Sequence, residues 1–218
     1  MQRTLVLDLD GTLVDSVPDL ASALNRAMAA RGLVGFGYSD TALMVGDGAR
    51  VLYARACAAR GAAFDEPGFE AFLADYTAHA AVESRAFPGA VEAMRLMQGD
   101  GWRFAVCTNK PAAATHALLD ALGLAPWFAA VGGGDSFPVR KPDPAHLLMT
   151  LAAAGGTPEA AVMVGDHRND VLAAAGAGLP CIFAGWGYGP AAMAEGTAGV
   201  AGSFADVPAL ADRLTAAR

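Results

Sequence analysis

Residues 5–16 read Leu5-Val6-Leu7-Asp8-Leu9-Asp10-Gly11-Thr12-Leu13-Val14-Asp15-Ser16. An apolar run of strand length ends in two carboxylates one residue apart, and a glycine and a threonine come directly after. Extended backbone alternates its side chains. If that geometry persists through Leu9, Asp8 and Asp10 share one face and Leu9 points into the core. An Asp-Gly pair is also an ordinary turn signal, in which acids are solvated. A hairpin, however, needs a second alternating strand after the turn, and here the chain instead starts a helix at Ser16-Val17-Pro18.

The rest of the chain sets the context. A chain of 218 residues, 54% hydrophobic, can bury one substantial core and carry a smaller appended unit. Its net charge of −7 leaves no basic stripe to neutralise phosphates, which argues against nucleic acid or an anionic membrane as partner. Cys57, Cys107 and Cys181 show no C-x-x-C spacing, so neither a disulfide framework nor a zinc site is indicated. The apolar N-terminal run is broken by Asp8 and Asp10, and no apolar stretch approaches the ~18 residues of a membrane span. The expectation is a soluble, cytoplasmic protein. Of the 15 basic residues only Lys110 and Lys141 are lysines, a scarcity that draws attention to both.

Along the chain, helices are predicted at 16–32, Ser39–Val45, Ala49–Arg60 and Pro67–Ala80, with no strand-like run from Asp15 to Arg85. From Phe87 onward, helices alternate with short apolar strands at Trp102–Cys107, Phe128–Val131, Ala161–Val164 and Cys181–Ala184. Thr157-Pro158 is expected to cap a short helix. Such alternation implies an α/β fold with a doubly wound parallel sheet, carrying a small all-helical unit inserted after the first strand. Ligands of such sheets sit outside the carboxyl ends of the strands.

Four segments fall at those ends: Asp8/Asp10, Thr108-Asn109-Lys110, the loop carrying Lys141, and Asp166 to Asp170. Together they supply carboxylates, a hydroxyl with an amide, and an ammonium, which suits a phosphoryl group held with a divalent cation. A carboxylate meeting a dianionic phosphate at ~3.5 Å is repelled by about 10 kcal/mol at an effective dielectric of ~20. A cation shared by Asp8, Asp166 and the phosphate, with Lys141 beside it, reverses that sign. Oxygen-only ligands favour Mg²⁺ over zinc. His79, His116 and His146 fit helix faces, without metal-ligand spacing.

Asp8-Leu9-Asp10-Gly11-Thr12, Thr108-Asn109, Lys141-Pro142 and Gly165-Asp166…Asp170 resemble the four ordered motifs of the haloacid dehalogenase superfamily. The resemblance spans the chain. By analogy it implies a catalytic core of residues 1–14 and 86–218 and a mobile helical cap of residues 15–85. It also implies that Asp8 is a nucleophile forming an aspartyl-phosphate. Asp10 would protonate the leaving oxygen and then activate water. Thr108 and Asn109 would hold phosphate oxygens, with Gly11 beside them, and Lys141 would stabilise nucleophile and phosphate. Mg²⁺ would be held by Asp8, the backbone carbonyl of Asp10 and Asp166, with Asp170 acting directly or through water.

Within the superfamily, Asp10 and Thr12 resemble phosphatases, and the absence of lysine from positions 15–85 excludes the Schiff-base phosphonate-cleaving branch. Val45-Gly46-Asp47-Gly48-Ala49, Phe87-Pro88-Gly89, the stretch from Gly133 to His146 and Gly187-Tyr188-Gly189 resemble the phosphoglycolate phosphatase family. His167 and Gly189 depart from that pattern, where serine and asparagine are common. The resemblance implies a phosphomonoester hydrolase acting on a small anionic phosphate ester, 2-phosphoglycolate, as a monomer or homodimer. Gly46 would lie on a loop over the substrate, and Arg50 would meet its carboxylate. The alternatives are a broader phosphatase, a hexose-phosphate mutase, and an inactive binding or regulatory domain.

Overall fold

The computed structural model describes residues 2–216. The first strand, β1 (Thr4–Leu7), is followed by a two-residue strand β2 (Val14–Asp15) and four helices: α1 (Val17–Ala30), α2 (Tyr38–Ala42), α3 (Ala49–Ala59) and α4 (Glu66–Ala78). The chain returns through β3 (Arg85–Ala86) and then alternates: α5 (Ala90–Gly99), β4 (Arg103–Cys107), α6 (Ala112–Ala121), β5 (Phe128–Gly132), α7 (Pro144–Ala153), β6 (Ala161–Gly165), α8 (Arg168–Ala177), β7 (Cys181–Ala184), β8 (Gly199–Ala201) and α9 (Val207–Ala216).

Six strands form a parallel sheet in the order β5-β4-β1-β6-β7-β8. The chain builds outward from β1 on one side through β4 and β5, then crosses to the other side for β6, β7 and β8. The switch point therefore lies at β1, where ligand crevices open in sheets of this kind. Leu7 is level with both Val106 and Val164, which brings the ends of β1, β4 and β6 side by side.

The period-two pattern decides which side chains fill which layer. Leu5, Leu7, Phe104, Val106, Val162 and Val164 face a core closed by α5 and α9, through residues such as Met94, Met97 and Val207. Their neighbours Val6, Ala105, Ala161 and Met163 face the opposite layer with Leu147, Leu151, Val171 and Ala174. Both faces are covered, so β1 and β4 are apolar beyond their first residues, Thr4 and Arg103. Truncating a fully buried leucine such as Leu7 to alanine costs about 2–5 kcal/mol. Helices α1, α3 and α4 share a third cluster, in which Leu24, Tyr53, Phe72 and Tyr76 are buried together; Ala114 of α6 also joins it.

Four expectations need correction. The segment 15–85 is not free of strands: β2 pairs antiparallel with β3, Val14 against Ala86, where the chain enters and leaves the helices. Strand β8 is an unexpected addition, three residues long with glycine at its start. Thr157-Pro158 opens a single 3₁₀ turn, with no side-chain cap from Thr157. Regular strand ends at Leu7 rather than Leu9. Asp8 N–H adds one more ladder bond to Val164 O (2.9 Å), after which the Leu9 carbonyl accepts from Leu13 and Val14 in a tight turn. Leu9 is nevertheless in the core.

Candidate active site

Asp8, Asp10, Thr108 and Asp166 each lie just past the end of β1, β4 or β6. Carboxylate oxygens of Asp8, Asp166 and Asp170, all buried, lie within 4.8 Å of one another. Asp166 is the most constrained: Thr12 Oγ1 donates to its Oδ1 (2.9 Å), while Tyr188 N–H (2.8 Å) and Gly189 N–H (3.2 Å) donate to its Oδ2. Burial, with the charge of Asp8 added, raises its pKa to about 6 against those hydrogen bonds. Gly11 has φ +86°, and a Cβ there would fall 2.5 Å from Asp166 Oδ2. The turn therefore requires glycine both for its backbone and for the approach of that carboxylate.

Lys141 reaches in from the loop after β5. His146 shapes that loop, accepting from Lys141 N–H at Nδ1 (3.2 Å) and donating through Nε2 to Gly133 O (3.0 Å). Lys141 Nζ donates to Cys107 O (2.5 Å) and Asp170 Oδ1 (2.6 Å). Although burial opposes its charge, Asp170 and Asp8 raise its pKa, so it is an ammonium. It also lies 2.9 Å from Asp8 Oδ1, but outside hydrogen-bond geometry, and that buried oxygen has no hydrogen-bond partner. An orphaned carboxylate oxygen beside two further buried carboxylates is a set of hard donors that fits a divalent cation. Asp170 is already bonded on both oxygens, Oδ2 accepting from His167 N–H (3.0 Å).

Asp10 faces the same space with different partners. Ser16 Oγ donates to its Oδ1 (2.6 Å), and Lys110 Nζ bridges both oxygens at 3.1 and 3.2 Å. Ser16 thus spends its hydroxyl on Asp10 and leaves α1 without a side-chain cap. The Tyr188 hydroxyl substitutes for it, accepting from Ser16 N–H (2.9 Å) and Val17 N–H (3.3 Å) and donating to Asp15 Oδ1 (2.8 Å). Lys110 also bonds the hydroxyl of Tyr76 on α4, its Nζ 4.1 Å from that ring's centre. Burial works against the Lys110 charge, yet Asp10 and Tyr76 raise its pKa.

Thr108 is buried, with Oγ1 accepting from Lys110 N–H (3.2 Å). The side chain of Asn109 is turned to two backbone carbonyls. Its Nδ2 donates to Gly46 O (3.0 Å) and Lys141 O (2.9 Å), so its side-chain hydrogens are not available to a phosphate oxygen. Asn169 Nδ2 reaches the same loop, donating to Gly46 O (3.2 Å) and Asp47 Oδ1 (2.7 Å). Gly46 has φ +119°, and a Cβ there would sit 2.5 Å from the His167 ring, so the loop docks this closely only as glycine.

Arg50 is not brought into the site. Its side chain is half exposed and binds Glu66 through both terminal nitrogens, one at 2.8 Å, above the rings of Phe64 and Phe69. The reason is position: Arg50 starts α3 on a face turned toward the N-terminus of α4. A cavity lies instead against Asp8, Asp10, Thr108 and Lys110, walled by Leu20, Val45, Leu52 and Tyr76. Ser16, Tyr76, Asn169 and Tyr188 are members of this site that sequence reasoning did not find. The scarcity of lysine was a signal for Lys110; the Gly187-Tyr188-Gly189 motif marked the place of Tyr188 but not its role, which depends on contacts 173 residues away.

The family description "haloacid dehalogenase-like hydrolase" matches residues 2–178. The chain belongs to this family. It is 44% identical over 194 residues to a phosphoglycolate phosphatase of Agrobacterium fabrum, covering 87% of this chain and 83% of that one. A crystal structure described as a predicted phosphoglycolate phosphatase from Haemophilus somnus superposes with TM-score 0.85 at 31% identity, over 94% of this chain and 96% of the other. CbbY from Rhodobacter sphaeroides, crystallised with phosphate, superposes with TM-score 0.80 at 26% identity, over 97% and 100% of the two chains. As a haloacid dehalogenase-like hydrolase with relatives of this kind, the chain is a phosphatase. Among the described residues, no helix is long and apolar enough to cross a membrane.

Proposed function

We propose that the chain hydrolyses 2-phosphoglycolate to glycolate and phosphate, through an aspartyl-phosphate on Asp8 and with Mg²⁺ held by Asp8, the carbonyl of Asp10, Asp166 and Asp170. The observation that carries this reading is the buried Oδ1 of Asp8, which accepts no hydrogen bond and has the Lys141 ammonium beside it, among two further carboxylates at the edge of the cavity. Mg²⁺ would offset the charge of the phosphate and so let a carboxylate approach it.

The chain's own residues do the rest. Asp8 supplies the attacking oxygen. Lys141, kept charged by Asp170, stabilises both that oxygen and the phosphoryl group. Asp10, held by Ser16 and Lys110, gives a proton to the leaving oxygen and later takes one from water. Thr108 holds a phosphate oxygen through its hydroxyl, Gly11 borders the phosphate, and Asn109 acts by tying the Gly46 loop and the Lys141 loop together. Residues 15–85 serve as a cap over a core of residues 1–14 and 86–218, with Gly46 closing on the site. The relatives named phosphoglycolate phosphatase support the substrate. Three buried, unbridged cysteines suit a reducing cytoplasm.

The test is phosphate release from 2-phosphoglycolate with Mg²⁺, followed by acid quenching and mass spectrometry of the peptide that contains Asp8. A phosphorylated Asp8 peptide in wild type and none in Asp8→Asn is expected. Undiminished turnover by Asp8→Asn sinks the reading.

A further inference from the structure

Both lysines are buried and both are bonded, Lys110 to Asp10 and Tyr76 and Lys141 to Cys107 O and Asp170, but they border different spaces. Lys141 lies beneath the carboxylates, its donors committed to Cys107 O and Asp170 and its charge to Asp8. Lys110 borders the cavity itself, and among the described residues that line the cavity it is the one cation. Leu20, Val45 and Leu52 form apolar wall, and Asn109 has both side-chain hydrogens directed elsewhere. Arg50 has turned to Glu66. Beside Lys110 stands the hydroxyl of Tyr76, kept neutral because burial pushes its pKa to about 12.

We propose that the Lys110 ammonium recognises the carboxylate of a short phosphorylated hydroxy acid and thereby sets substrate choice. The inference rests on the proposed role of Asp10, since it takes the ester oxygen to lie beside that carboxylate. In a two-carbon acid the carboxyl carbon is two bonds from the ester oxygen, roughly 2.5 Å at ordinary bond lengths. Lys110 Nζ is 3.1 Å from Asp10, so a carboxylate tethered this closely to the reacting oxygen comes within reach of the same ammonium. An unpaired carboxylate against leucine and valine is strongly disfavoured, and an uncharged tail gains nothing from Lys110. A longer acid carries its charge past the ammonium to the apolar wall.

Two non-hydrolysable probes separate recognition from chemistry: 3-phosphonopropionate, and propylphosphonate, which has a methyl in place of the carboxylate. Titration calorimetry with Mg²⁺ on wild type, Lys110→Met and Lys110→Arg gives the affinity ratio of the two probes. Wild type is expected to prefer the carboxylated probe by ~10- to 100-fold, in line with a charge-assisted hydrogen bond. Lys110→Met should abolish the preference and Lys110→Arg should keep most of it. The chain has two lysines, so ¹⁵N-lysine labelling of wild type gives a second readout that no folding defect can spoil. The Lys110 Nζ signal should shift with 3-phosphonopropionate and not with propylphosphonate. Equal wild-type affinities overturn the proposal. So does a Lys110→Met variant that turns over more slowly but keeps the ratio, since Lys110 would then only position Asp10. Failure of wild type to release phosphate from any ester instead removes the reading on which the proposal rests.

Discussion

The hydroxyl of Thr12 donates to Oδ1 of Asp166 across 2.9 Å, joining residues 154 positions apart. This bond ties the turn after β1 to the end of β6, and so sets the distance between Asp8 and Asp166. Replacing Thr12 by Val keeps the shape and removes the donor, leaving Asp166 with its backbone donors alone. On the proposed role of Asp166 in holding Mg²⁺, affinity should fall about 10- to 100-fold, the usual effect of losing a group that orients a metal ligand. Calorimetric titration with Mg²⁺ against wild type checks this.

Asp166 also predicts a pH dependence. Burial and the charge of Asp8 raise its pKa to about 6, from an ordinary 3.8. The folded state therefore holds the proton more tightly than the unfolded one. Without metal, the contribution of Asp166 to stability is full below the unfolded value and is lost as pH rises through about 6. A cation binds the ionised form and competes with the proton. Apparent Mg²⁺ affinity should therefore fall by up to about tenfold per pH unit as pH drops below 6, and it should level off only once Asp170, which burial also raises, is ionised as well. Thermal melts with and without Mg²⁺ across that range measure both trends.

Asn169→Ala should loosen the loop at Gly46. The substitution removes the bonds to Gly46 O and Asp47 Oδ1, and leaves Asn109 as the remaining donor to that carbonyl. Amide exchange at residues 44–48 should rise several-fold while exchange in β1 and β6 stays put, and kcat/KM should fall. Unchanged exchange in the loop would show that Asn169 is not what holds it.

Arg50→Ala tests a negative. Because the guanidinium is engaged with Glu66 at the surface, kcat and KM for 2-phosphoglycolate should stay within about twofold of wild type. A tenfold rise in KM would return Arg50 to the substrate.

Legibility in the sequence differs by residue. Asp8, Asp166 and Lys141 could be located because each comes after a strand-like run, and runs of apolar residues bounded by turn signals are visible in one dimension. The helices of segment 15–85 were legible for the same reason, through their 3.6-residue spacing. The two-residue strands β2 and β3 were not, since their existence depends only on pairing with each other.

Side-chain partners lay further out of reach. Ser16 looked like a helix cap, Arg50 like a substrate ligand and Asn109 like a phosphate ligand. Their side-chain hydrogens go to Asp10, to Glu66, and to the carbonyls of Gly46 and Lys141. Residue order alone determined the strands β1, β4, β5, β6 and β7, the layers and the crevice at their carboxyl ends, because backbone periodicity and burial are local properties that sum along the chain. Which donor meets which acceptor inside that crevice was decided by the tertiary structure, because hydrogen bonds act over about 3 Å between groups that the sequence holds dozens of residues apart.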